Sequence, residues 1–124
     1  MAYHVAEAPK DLVHGALILT PKPGMVDEVA AGLGKFAEQV EANEPETLVF
    51  SVSKSGPIKE LGQQGPEQVV ITMVFKDMAA MESHKNSSYY QEFIAKMKET
   101  DKLTGPPEAR ALTPTGGFMR KPPQ

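Results

Sequence analysis

Histidine is the side chain that ordinarily titrates near neutral pH, and one of the three in this chain, His84, has a setting suited to chemistry. It closes a short stripe with Met78 and Met81, directly after an apolar strand, in the run VVITMVFKDMAAMESHKNSSYYQEF from Val69 to Phe93. A strand that feeds a helix bearing one inward-facing imidazole aims a titratable group at a cavity, as a general base requires. The competing reading is a helix-end histidine that packs on Met81 and bonds a nearby carbonyl. His4 falls in an N-terminal arm and His14 opens a strand, so neither shares that setting. No His has a second His, an Asp or a Glu at the i, i+4 or H-x-x-E-H spacing that closes a metal site, so no metal is expected. The GLGK of Gly32 to Lys35 lies inside a helical pattern, not at the strand-to-helix turn a phosphate loop needs. With no Cys, disulfides, thiolate metal sites and cysteine nucleophiles are excluded together.

The elements that must carry His84 are legible from periodicity. His14 to Thr20 (HGALILT) is a compact apolar run closed by Pro21 and Pro23, and reads as a first strand. From Met25 the apolar residues Val26, Val29, Ala30, Leu33, Phe36, Ala37 and Val40 recur at helical spacing. Asp27 and Glu28 favour the start of this helix, and Asn43 and Pro45 end it. Thr47 to Ser53 alternates Leu48, Phe50 and Val52 against Thr47, Val49, Ser51 and Ser53, the period of a strand. A Gly- and Pro-rich connection, Ser55 to Pro66, leads to a third strand, Gln68 to Phe75, which is apolar on both faces. Asp77 is placed to cap the helix of His84, and Ser88 with Gln91 reads as a capping box opening a second helical segment. Gly105, Pro106 and Pro107 break the chain before a last short strand, Ala109 to Thr113.

A chain of 124 residues has room for one domain with a modest core. The reading divides it into an arm (1–12), a domain (13–113) and a flexible tail (114–124). Acidic residues outnumber basic ones by 16 to 13, so the footprint for neutralising nucleic-acid phosphates is missing. The longest apolar run, Ala16 to Leu19, is too short to cross a membrane, and no secretory leader is visible. The expectation is a cytoplasmic protein with neither nucleic acid nor membrane as partner.

The element order β-α-β-β-α-β is that of the ferredoxin-like α+β fold, with a four-stranded, mainly antiparallel sheet and both helices on one face. Because the third strand is apolar on both sides, the other face needs a cover. A two-fold homodimer packed sheet on sheet is the simplest one.

The same residues resemble the antibiotic biosynthesis monooxygenase domain of the dimeric α/β-barrel group, from about His14 to Thr113. The resemblance is carried by LILTPKPGMVDEV, by TLVFSVSK, and by VVITMVFKDMAAMESHKNSSYYQEF with its acidic helix start, histidine and aromatic-rich second helix. It implies a homodimer with cavities between sheet and helices and, in some members, oxygenation of phenolic, quinol or anthrone-like compounds without a cofactor. An electron-rich phenol that has lost a proton passes an electron to oxygen itself, so the protein supplies a base and a dry, shaped pocket. On that basis His84 is the catalytic candidate. Tyr89 or Tyr90 would bond a developing oxyanion, Asn86 would orient a carbonyl, and Ser51 and Phe75 would line the pocket. Blander readings stand beside these: at least one tyrosine belongs to the core, and Asn86 ends a helix. Haem-degrading members of the broad fold use a strand-one Asn and a strand-three Trp. This chain has neither, and Phe75 stands where the Trp would fall.

Two functions follow. The first is a small cofactor-independent monooxygenase for an aromatic compound. The second is a non-catalytic dimeric or stress-associated protein that holds a small hydrophobic ligand.

Overall fold

The computed structural model describes residues 2–4 and 12–120. The elements follow as β1 (Ala2–His4), β2 (Val13–Leu19), α1 (Val26–Asn43), β3 (Thr47–Ser55), β4 (Gln68–Phe75), α2 (Met78–Lys85), α3 (Ser88–Thr100), β5 (Glu108–Leu112) and β6 (Phe118–Arg120). Four strands form one sheet in the order β3-β4-β2-β5, with every adjacent pair antiparallel. This is the expected ferredoxin-like α+β architecture, its second helix split in two. Within the N-terminal arm and the C-terminal tail, Ala2–His4 and Phe118–Arg120 pair as a two-stranded antiparallel ribbon, which satisfies backbone groups of both segments.

The core lies on the helix side of the sheet. Leu19 of β2, Val69 and Ile71 of β4, and Val29 and Leu33 of α1 form its buried cluster. Helix α1 buries the stripe Val29, Leu33, Phe36 and Val40, the i, i+4, i+7, i+11 face its sequence marks out. Helix α2 starts where Asp77 Oδ1 accepts the Ala80 N–H at 2.8 Å. The cap of α3 is Ser87, one residue before the Ser88 of the proposed capping box; Ser87 Oγ accepts the Tyr90 N–H at 3.3 Å. The Gln91 side chain donates instead to the Lys85 carbonyl, at 2.7 Å, tying α3 to the end of α2.

Strand β3 departs from simple alternation. Thr47 pairs with Phe75 and Val49 with Val74, so Leu48 is an extra residue in a β-bulge. The bulge resets the phase: Thr47 joins Phe50 and Val52 on the helix side, and Leu48 is left exposed. At the other end of the sheet, the Lys22 N–H donates to the Lys102 carbonyl and the Thr104 N–H to the Thr20 carbonyl, both at 2.8 Å. These bonds clasp the end of α3 to the segment after β2. Among the described residues no helix is long and apolar enough to cross a membrane.

Candidate functional site

Helix α2 is only eight residues long, and its one deeply buried polar side chain is His84, in the last turn. Four aromatic rings surround the imidazole: Tyr90 at 5.1 Å between centroids, Phe75 at 5.4 Å, Phe50 at 5.9 Å and Phe36 at 6.0 Å. They come from α3, β4, β3 and α1 respectively, so the histidine sits where four elements converge. A charge in such a place must be paired or hydrogen-bonded.

The partner is Glu44, at the C-terminal end of α1. His84 Nδ1 lies 2.8 Å from Glu44 Oε1 and 3.0 Å from Oε2, with both side chains largely out of solvent. The same carboxylate accepts the Thr47 hydroxyl at 2.8 Å and the Tyr89 phenol. Backbone bonds hold the corner: the Glu44 N–H donates to the Val40 carbonyl and the Thr47 N–H to the Glu44 carbonyl. The bulge at Leu48 is what turns Thr47 toward this carboxylate.

The chemistry of the donors decides the tautomer. Burial and the bond to Glu44 push the Tyr89 phenol up to about 12, so it stays protonated and donates. Thr47 also has only a hydroxyl hydrogen to offer a carboxylate. An ionised Glu44 accepts only, so the His84 nitrogen facing it carries hydrogen. In the neutral ring that places N–H at Nδ1 and the free lone pair at Nε2. Among the described residues Nε2 has no hydrogen-bond partner, yet no fully buried side-chain nitrogen there is left unpaired. Nε2 is therefore not sealed off, and His84 is one of the residues that line a cavity.

The cavity, of about 750 Å³, lies between the helices and the sheet. His84, Phe75, Tyr90 and Phe36 line the end next to the imidazole, and Met97 and Leu103 the far end. The volume is that of a site for a small organic molecule. Its walls are mostly apolar, and His84 is the buried polar side chain among them.

The sequence-derived candidates divide. His84, Phe75 and Tyr90 meet at the cavity. Tyr89 belongs to the carboxylate network instead of the cavity wall. Asn86 is exposed and caps α2, its N–H donating to the Glu82 carbonyl at 3.0 Å. Ser51 is placed elsewhere: it pairs with Thr72 on the open side of the sheet, because the side chains facing the helices at this level are Phe50 and Val52. The competing expectation of a carbonyl partner for His84 also fails, since Glu44 takes that bond. Glu44 itself was invisible to sequence reasoning. It reads as one more residue at a helix end before Pro45, and nothing local ties it to a histidine 40 positions later.

The family model described as "Antibiotic biosynthesis monooxygenase" matches residues 16–96. A solved candidate antibiotic biosynthesis monooxygenase from Caulobacter crescentus is 20% identical, with a TM-score of 0.69 over 83% of this chain and 89% of that one. Rv0793 from Mycobacterium tuberculosis is also 20% identical, with a TM-score of 0.66 over 84% and 95% of the two chains. A further candidate of the same description, from Bacteroides thetaiotaomicron, is 21% identical, with a TM-score of 0.67 over 90% and 98%. Among curated proteins nothing matches the chain. The structural likenesses are likenesses of fold, while the match to the family model spans more than half the sequence. By that match, and by the ferredoxin-like sheet and helices it predicts, this chain belongs to the antibiotic biosynthesis monooxygenase family.

Proposed function

We propose that the protein is a cofactor-independent monooxygenase acting on an aromatic phenol, quinol or anthrone-like compound, with His84 Nε2 as the base. One observation carries the proposal: the Glu44 carboxylate holds Nδ1 of a buried histidine that lines an apolar cavity, which leaves Nε2 without a partner among the described residues. Nε2 takes the acidic proton of the substrate, and Glu44 offsets the charge of the imidazolium that forms. The carbanion passes an electron to dioxygen, and the two radicals join in a carbon–oxygen bond. The hydroperoxide then loses water. A ring methylene becomes a carbonyl, one oxygen atom stays in the product and the other leaves as water, so dioxygen is fully reduced. The rings around His84 exclude bulk water from the reactive anion.

The active unit of this proposal is a homodimer. Ala16, Ile18, Val70 and Val74 share the sheet face away from the helices, with Val49 and Leu112 exposed beside them. A second copy packed on this face covers it.

The test is oxygen uptake with a panel of quinols and anthrones. The wild type should consume oxygen above a no-enzyme blank, and His84→Ala should lose that activity while its circular dichroism stays that of the wild type. If the wild type binds these compounds and recovers them unaltered, the oxygenase reading fails and a ligand-binding role takes its place.

A further inference from the structure

With no Cys in the chain, methionine thioethers are its only sulfur, and the proposed reaction gives them no part. Their placement is uneven. Met73 of β4, Met81 of α2 and Met97 of α3 come from three different elements, yet all three line the cavity. Met78 makes the contrast. It lies one turn before Met81 on the same helix, but it is 54% exposed to solvent and does not line the cavity. The stripe that carries His84 thus begins in solvent and ends at the cavity.

A methionine that only fills a gap in a core is enclosed on every side. These three border a void of about 750 Å³ instead. All are half-buried, so their side chains are reachable from the cavity they line. A thioether is a soft, polarisable group whose characteristic reaction is oxidation to the sulfoxide. With a hydroperoxide the step is complete without another reagent: the sulfur lone pair attacks the terminal oxygen, and the S–O bond forms as the O–O bond breaks. The proton of the terminal oxygen passes to the departing alkoxide oxygen. The thioether loses two electrons, and the hydroperoxide gains them and becomes an alcohol. The apolar walls select among peroxides, because each CH₂ group taken out of water contributes about 0.8 kcal/mol. A hydroperoxide with a hydrocarbon body is concentrated there, and hydrogen peroxide is not.

We propose that Met73, Met81 and Met97 form an oxidation site for organic hydroperoxides, which enter the cavity and leave as alcohols while the thioethers become sulfoxides. Each sulfoxide puts a polar group on an apolar wall, so the modification lowers the affinity of the cavity for apolar molecules until a reductase removes it. The oxygenase reading supplies one such hydroperoxide from within. The site is tested with an added one, so it stands or fails apart from that reading.

The full chain is treated separately with hydrogen peroxide and with cumene hydroperoxide, then digested with trypsin. Residues 77–85 (DMAAMESHK) carry Met78 and Met81 in one peptide, whose fragment masses give both oxidation rates. Hydrogen peroxide should oxidise the exposed Met78 about threefold faster than Met81. Cumene hydroperoxide should reverse the order, raising the ratio of Met81 to Met78 oxidation at least tenfold. Excess cumyl alcohol, which has the same hydrocarbon body and no peroxide bond, should slow Met81 at least fivefold and leave Met78 unchanged. The same ratio with both peroxides overturns the proposal, and so does a failure of cumyl alcohol to protect Met81. A variant with Met73→Leu, Met81→Leu and Met97→Leu, which keeps side-chain volume, should lose the fast phase of cumene hydroperoxide consumption. A fast phase that persists in this variant also overturns it.

Discussion

His84 Nδ1 and Glu44 Oε1 meet at 2.8 Å, although 40 residues of chain separate them and they sit on different helices' ends. Glu44 gathers three donors, Thr47, Tyr89 and His84, onto one carboxylate, and so orients a ring that four aromatic side chains enclose. The bond makes Glu44 the group that positions the proposed base.

Glu44→Gln should therefore impair turnover more than binding. An amide keeps the shape but brings an N–H₂ among three donors, and its N–H bonded to Nδ1 would move the histidine hydrogen to Nε2. We expect the maximal rate of oxygen uptake to fall by about two to four orders of magnitude, the usual range for a general base. Ligand affinity should change less than threefold. A nitrogen-15 spectrum of His84 should show the change of tautomer, and an unchanged spectrum would remove Glu44 from this role.

Glu44→Ala should also cost stability. It leaves the Tyr89 phenol and the His84 N–H without their acceptor in a largely buried place, at about 1–3 kcal/mol for each unsatisfied group that water does not reach. Urea unfolding at neutral pH measures this. A loss below about 0.5 kcal/mol would mean that water replaces the carboxylate at little cost.

The Tyr89 phenol gives a pH signature. Its pKa in the folded protein is about 12, above the ordinary value of 10.0, through burial first and then the bond to Glu44. Below pH 10 both folded and unfolded chains hold the proton, and the stabilisation is fully present. As pH rises from 10.0 toward about 12 the unfolded chain ionises while the folded one does not, so stability falls across that window. Tyr89→Phe should lose about 1 kcal/mol at neutral pH, for the missing hydrogen bond, and should fall less steeply above pH 10 than the wild type. Parallel curves for the two proteins would contradict the assignment.

Phe36 links the core to the site. Its ring lies 4.6 Å from Phe93, 5.7 Å from Tyr89 and 5.8 Å from Phe50, between the buried stripe of α1 and the walls of His84. Phe36→Ala should destabilise the fold by about 3–5 kcal/mol, as loss of a buried aromatic does. Ligand affinity should fall with it, measured under conditions where the variant is still folded.

The open sheet face predicts assembly. Light scattering at micromolar concentration should return twice the 13.4 kDa mass of the chain, and Val74→Lys should return a single chain with unchanged circular dichroism. A wild type of 13.4 kDa would end the dimer proposal.

What the sequence by itself determined is what depends on neighbours in the chain. The α1 stripe from Val29 to Val40, the strand Gln68–Phe75 and the Asp77 cap were legible because periodicity and capping act over a few residues. From their order came the fold class, and from the strand-to-helix run came His84. The tertiary structure alone decided the site's chemistry. A bulge at Leu48 turned Thr47 inward against the alternation of its strand, while Ser51 went to the open face. Glu44 became the partner of His84 only when the end of α1 was packed beside the end of α2. Gly15 and Ala111 stand side by side at the cavity because the register of two distant strands pairs them. Hydrogen bonds and voids of this kind are properties of assembled surfaces, and no local pattern in the chain encodes them.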